Sequence, residues 1–450
     1  MQMFRKQPFR FVREWIARPR AAQIEDAAKA AKERQMFSKY LKDWTLPDFG
    51  ASPLDQSDFE IPCSVPELEE QLDRLGVDCS VQEVHAGPTL TSYYLSLSGS
   101  TRLRDLAGAC DDLSLKLGIS TARVGARHPS SPWVALELVN RARTSFSFEQ
   151  LILDPKWYSS EGRIPMALGL DTRGDLLVFD LAEAPHLLLA GATGSGKSVL
   201  LHSLICSILT RRNWQEVQFF FIDLKGVELS AYVGLPHTEA YADKVSDSLS
   251  LLGGLIGVME ERYVELARLG VRSAHECTRE MTKLDMTPIV LVIDEYADLV
   301  LQNKEADTLL ARLAAKSRAA GIHIILSTQR PSVKVVTGLV KANFPVRIAG
   351  AVPTKTDSRV ILDSNGADAL IGKGDMLLSV DGKLERFQSA MITHETVAEL
   401  VDCWRLAGCA HEIVHGYERY ARGGPRFPAS SDDSSLSYSD DFDFEEDIGL

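Results

Sequence analysis

The chain of 450 residues is 45% hydrophobic and 25% charged, with a formal net charge of -13. That length and balance allow two or three domains with real cores and exclude a chain disordered throughout. No window reaches eighteen apolar residues, so no membrane span is expected. The seven scattered cysteines form no CxxC pair or zinc spacing and read as reduced thiols of a cytoplasmic protein.

In chain order, residues 1–60 are expected to form a basic helical arm and linker. The first twenty, MQMFRKQPFRFVREWIARPR, hold six Lys/Arg against one Glu and lack the uninterrupted apolar core of a signal peptide. They suit an amphipathic segment on an anionic surface, a docking helix for a protein partner, or a solvated arm. A helix-prone stretch from Ala21 to Trp44 then runs into a Pro/Gly/Ser/Asp-rich linker, Leu46 to Asp58.

Residues 61–178 are expected to hold a small α+β subdomain. VPELEEQLDRLG and RLRDLAGACDDLSLKLG read as helices, and CSVQEVHAG, TSYYLSLS, TARVGA and WVALELVN as strands, without strict βαβ alternation. Residues 179–425 follow a different grammar. The apolar runs HLLLAG, VQFFFID, PIVLVIDE, GIHIILST and FPVRIAGAV alternate with helical patterns, which predicts an α/β domain whose parallel sheet is covered on both faces. HETVAELVDCWRLAG reads as its closing helix. Past Arg426 come eight Asp/Glu and no Lys or Arg, so residues 426–450 are expected to be a disordered acidic tail.

The run GATGSGKS, Gly191, Ala192, Thr193, Gly194, Ser195, Gly196, Lys197 and Ser198, is the P-loop pattern between a strand and a helix. Its glycines let successive N–H groups turn toward phosphate oxygens, and the next helix adds its positive end. Lys197 is expected to reach the β- and γ-phosphates of ATP, and Ser198 to ligate Mg2+. Asp294 and Glu295 end the strand PIVLVIDE, where wound α/β folds bind ligands. Asp294 is expected to hold the Mg2+ through a water and Glu295 to polarise the attacking water; the plainer role for the pair is a helix cap. Ser327, Thr328 and Gln329 end another strand in that layer. Gln329 is the candidate γ-phosphate sensor, while Ser327 and Thr328 also suit a turn cap. Asp223 ends FFFID, and Lys225 and Glu228 follow it, all without an assigned role. The stretch Ala319 to Pro345 carries Arg330, Lys334 and Lys341 and no acidic residue.

The segments PHLLLAGATGSGKSV, FIDLKGVELSAYVGLPH, VLVIDEYADLV, LARLAAKSRAAGIHIILSTQRPSVKVVTGLVKANFPVRI and DSRVILDSNGADALIGKGDML together resemble the motor of the FtsK/SpoIIIE DNA translocases. The likeness is dense from Pro185 to Leu378 and looser back to Val77, where the mixed unit resembles the family's α subdomain. It implies a RecA-like ATPase that assembles as a homo-hexamer around double-stranded DNA. Arg318 in KSRAAG matches an arginine that reaches a neighbouring subunit's nucleotide, a role suited to a guanidinium fork. Lys355 in TKTDSR matches a second residue acting in trans. Arg330 and Lys341 match DNA-facing positions of a channel loop, with Lys334 beside them. Basic residues without aromatics suit phosphate tracking rather than base stacking, for which Phe344 offers little support.

Full-length relatives carry a membrane-anchoring N-terminal region and commonly a C-terminal winged helix, and neither fits this sequence. A stand-alone motor for a plasmid, phage or integrated mobile element is therefore expected. The alternatives are a coupling ATPase for conjugative transfer or packaging of DNA, recruited through the arm or tail, and a nucleotide switch without motor activity. The Asp294–Glu295 pair together with Arg318 disfavours the switch.

Overall fold

The computed structural model describes residues 59–405, apart from 128–129, 143 and 279. The expected N-terminal helix and linker and the acidic tail lie outside the described residues. The first sheet is built from β1 (Cys79–Ala86), β2 (Leu90–Leu97), β3 (Ala122–Arg127) and β4 (Val134–Val139), all antiparallel in the order β1-β2-β4-β3. Helices α1 (Val65–Arg74) and α2 (Leu103–Leu117) cover one face. Their apolar residues recur at helical spacing, so Leu68, Leu72, Leu106, Leu113 and Leu117 share a core with Tyr93, Leu95, Leu136 and Leu138. Gly118 stops α2 in a left-handed conformation, φ 66°.

The short helices α3 (Phe148–Ile152) and α4 (Pro155–Ser159) lead to a ten-stranded sheet. Its strands are β5 (Pro165–Asp171), β6 (Leu176–Asp180), β7 (His186–Ala190), β8 (Gln218–Ile222), β9 (Thr238–Ala242), β10 (Ile289–Ile293), β11 (Ile322–Thr328), β12 (Val346–Ala349), β13 (Asp375–Val380) and β14 (Lys383–Gln388). They run in the order β6-β5-β14-β13-β12-β7-β11-β10-β8-β9. From β12 to β9 all neighbours are parallel; from β12 to β6 all are antiparallel. The expected parallel sheet is thus its central and far part, widened by two hairpins. Asp381 (φ 50°) and Gly382 (φ 77°) make the tight turn between β13 and β14. Because β5 and β6 already pair into this sheet, the change of sheet falls between Val139 and Pro165, earlier than residue 178.

The parallel strands read as unbroken apolar runs because helices cover them. These are α5 (Lys197–Leu209), α6 (Val245–Leu269), α7 (Tyr296–Gln302), α8 (Glu305–Lys316), α9 (Gly338–Asn343) and α10 (Lys355–Leu362). Residues of β10 and β11 pack with Leu252, Leu255, Met259, Leu310 and Leu313 in one core. A helix over 394–405 packs back on α5, where the Trp404 indole N–H donates to the Leu209 carbonyl at 3.2 Å. Among the described residues no helix is long and apolar enough to cross a membrane.

Candidate active site

The sheet order places β11 between β7 and β10, so the loops leaving these strands open a crevice at their carboxyl ends. Gly191–Ser198 leaves β7 and becomes α5. Gly194 (φ 80°) and Gly196 (φ 96°) adopt the backbone the turn requires, and a Cβ on Gly196 would stand 2.4 Å from the Gly374 nitrogen. The mouth of the turn is open, since a Cβ on Gly194 would meet nothing within 4 Å. Ser195, buried beneath it, has a hydroxyl without a hydrogen-bond partner. A glycine-shaped backbone cradle at the start of a thirteen-residue helix fits phosphate groups.

Lys197 is 3% exposed, and its ammonium donates to Asp294 Oδ1 at 3.3 Å and Ser327 Oγ at 2.5 Å. Burial raises the Asp294 carboxyl above its ordinary value while the Lys197 charge opposes the shift; nearby Asp223 and Glu228 add to the rise. The next residue, Glu295, caps α7 by accepting from the Ala297 N–H at 3.3 Å. Its carboxylate also accepts from the Thr328 hydroxyl at 2.6 Å and the Gln329 N–H at 2.9 Å. Glu295 therefore joins β10 to the end of β11, and the expected helix-cap role coexists with any catalytic one. The Thr193 hydroxyl donates to Gln329 Oε1 at 3.2 Å, tying the P-loop tip to the same strand end.

Glu228 and His202 had no assigned role in the sequence. His202 lies one turn after Ser198 on α5, and its Nε2 stands 3.2 Å from Glu228 Oε2. Its Nδ1 meets the Tyr232 hydroxyl at 2.7 Å. The His202 hydrogen bond, reinforced by Ser198, pulls the Glu228 carboxyl down to about 2. The sequence signal was the i, i+4 spacing of Ser198 and His202; their partner comes from a loop beyond β8. Asp223 accepts the N–H groups of Lys225, Gly226 and Leu229 at 3.0 to 3.1 Å, which shapes that loop.

The other expected residues lie apart from this crevice or at its rim. Arg318 precedes β11 at the opposite strand end, with the strand's length of roughly 20 Å between it and Thr328. It is exposed and donates to the Glu183 carbonyl at 2.9 Å. Lys355, exposed, begins α10 just after Ala351, whose carbonyl accepts from the P-loop residue Ala192 at 2.9 Å. Arg330 and Lys334 are exposed in the loop leaving β11. Lys341 sits on α9, and its ammonium meets Asp363 Oδ1 at 2.5 Å, as does Arg347 on the other carboxylate oxygen. The local absence of acidic residues is thus made good by one from the end of α10. Phe344 is buried and unavailable for stacking on a base.

Residues 148–333 match the FtsK/SpoIIIE family and residues 53–140 the FtsK alpha domain. A DNA translocase FtsK of Pseudomonas putida is 34% identical over 439 residues, covering 89% of this chain and 53% of the relative. One from Pasteurella multocida is 39% identical over 372 residues, covering 76% of this chain and 40% of the relative. One from Haemophilus influenzae is 38% identical over 372 residues, covering 76% of this chain and 70% of the relative. The chain spans about half the length of several curated relatives it matches. In fold it is similar to the monomer form of the pCW3 conjugation coupling protein TcpA with ATPgS. That likeness has a TM-score of 0.55 and 21% identity, and covers 75% of this chain and 98% of the other. With both family descriptions matched and 70% of the Haemophilus influenzae relative covered at 38% identity, the chain belongs to the FtsK/SpoIIIE family.

Proposed function

We propose that this chain is a cytoplasmic ATP hydrolase that moves double-stranded DNA through a homo-hexameric ring. The observation that carries the reading is the strand end at Thr328–Gln329. It is bound on one side by Glu295 and on the other by Thr193 of the P-loop, and it continues directly into Arg330. A displacement of Glu295 or Gln329 on hydrolysis would pull on the residues that lead into the basic loop.

The amides of Gly191–Ser198 and the Lys197 ammonium would hold the ATP phosphates. Ser198 and Asp294 would hold Mg2+, which offsets phosphate charge when bound. Glu295 would orient and polarise the attacking water, and Gln329 would respond to the γ-phosphate. Arg318 is too far from its own P-loop to serve it, which supports its acting on a neighbouring subunit's nucleotide. For Lys355, which begins α10 close to its own P-loop, a role in trans rests on the family resemblance and on its exposure. Arg330, Lys334 and Lys341 would track DNA phosphates without regard to sequence. The test is ATP turnover with and without linear duplex DNA. Duplex is expected to raise the rate severalfold, and an equal rate in its absence would refute a DNA-driven motor.

A further inference from the structure

The segment 371–374 follows no catalytic pattern, yet its backbone is seated on the P-loop. Lys373 N–H donates to the Gly194 carbonyl at 3.1 Å, and Gly374 N–H to the Ser195 carbonyl at 2.7 Å. The fit is close on both sides. A Cβ on Gly374 (φ 88°) would stand 2.4 Å from Ser389 Oγ and 2.7 Å from Gln388 Nε2, and Lys373 itself is left-handed at φ 53°.

Two separate routes tie this segment to the four-stranded sheet. In the first, the Thr89 hydroxyl, before β2, donates to Gln388 Oε1 at 2.7 Å, and Gln388 Nε2 donates to the Lys373 carbonyl at 2.9 Å. In the second, Arg123 Nε donates to Glu137 Oε2 at 2.6 Å, and Arg386 Nη1 lies 3.7 Å from that same oxygen. Arg386 then grips Asp375 through two bonds of 2.7 Å, and Asp375 accepts the Ile371 N–H at 2.9 Å. The Glu137, Arg386 and Asp375 side chains are 9%, 6% and 2% exposed. Across β3, Gly125 leaves room for Glu137, since a Cβ there would stand 2.4 Å from Glu137 Oε1. Buried charges of this kind add little net stability over apolar packing, and their best-attested use is to fix one register.

We propose that segment 371–374 is a latch on the phosphate-binding loop, seated by the positioning residues Arg386 and Gln388 and anchored in the small sheet by Glu137 and Thr89. The shape of the nucleotide cradle then depends on how the small sheet meets β14, and a shift between the two loosens the P-loop. The proposal rests on reading Gly191–Ser198 as the ATP site.

The test uses the full chain with Thr89→Val and, separately, Glu137→Gln, neither of which touches the P-loop. Amide hydrogen exchange over 191–198 is compared with that over the core strand 289–293, and KM and kcat for ATP are measured. Exchange over 191–198 is expected to rise roughly tenfold with 289–293 unchanged. KM is expected to rise while kcat stays within about twofold. Unchanged exchange over 191–198 in both variants, or an equal rise in both segments, overturns the latch. If Glu137→Gln does not fold, the isosteric Thr89→Val decides alone. If the wild-type chain does not hydrolyse ATP, the exchange comparison still decides the latch, so the two readings fail separately.

Discussion

Lys197 and Asp294 are 3% and 1% exposed, and neither charge is easily held there without the other. Lys197→Ala is therefore expected to weaken ATP binding and also to cost about 3 kcal/mol of stability at neutral pH, read from urea unfolding. The stability loss should shrink as pH falls, because Asp294 already titrates above its ordinary value and escapes its charge by taking up a proton. A Lys197→Ala protein equally stable at neutral pH would show that the pair is not buried as described. Glu295 needs a gentler substitution, since it holds Thr328, Gln329 and Ala297 as well as standing at the strand end. Glu295→Gln keeps an acceptor oxygen while removing the charge, and is expected to bind ATP with turnover down by roughly a hundredfold or more. Near-normal turnover would remove Glu295 from the chemistry. The P-loop and the Asp294–Glu295 pair were legible in the sequence because each is a local pattern at one strand end. Glu228 beside His202 and Asp363 beside Lys341 were not, since those pairs join residues 26 and 22 positions apart through loops that only the fold closes.

Among the elements, the loop from Arg330 to α9 holds its basic residues in two unlike settings. Arg330 and Lys334 are exposed, whereas Lys341 shares Asp363 with Arg347, and both contacts lower the Asp363 carboxyl's pKa. Charge already balanced within the chain releases fewer counterions on binding a phosphate. Arg330→Ala with Lys334→Ala is expected to lower the slope of log affinity against log salt by about two, and Lys341→Ala alone by less than one. Duplex binding titrated at several salt concentrations measures both, and a larger loss for Lys341→Ala would invert this assignment. The parallel strands were readable because covering on both faces demands unbroken apolar runs. The added hairpins were harder. β14, KLERFQ, is exposed over its first half and carries charge, although the Asp381-Gly382 turn before it was a visible signal. Short β9 gave no comparable run. The apolar β5 and β6 runs, PMALGLD and LLVFD, are joined by a tight turn without a helix between them, so they did not follow the strand-helix alternation by which the parallel sheet was recognised.

If Arg318, a strand's length from the P-loop of its own chain, serves a neighbouring subunit's nucleotide as proposed, activity needs more than one copy. Arg318→Ala and Glu295→Gln proteins should each be nearly inactive alone. In mixed rings, about one interface in four pairs an intact Glu295 with an intact Arg318 from the neighbour, so part of the activity should return. No recovery in rings verified to contain both proteins would speak against a shared site. Movement along duplex DNA driven by hydrolysis is read by displacement of a triplex-forming oligonucleotide from linear duplex. The wild-type chain with ATP is predicted to strip the third strand, while Glu295→Gln with ATP, or the wild-type chain with a non-hydrolysable analogue, leaves it in place. A wild-type chain that hydrolyses ATP on this DNA yet never displaces the oligonucleotide would show that hydrolysis does not move it along the duplex.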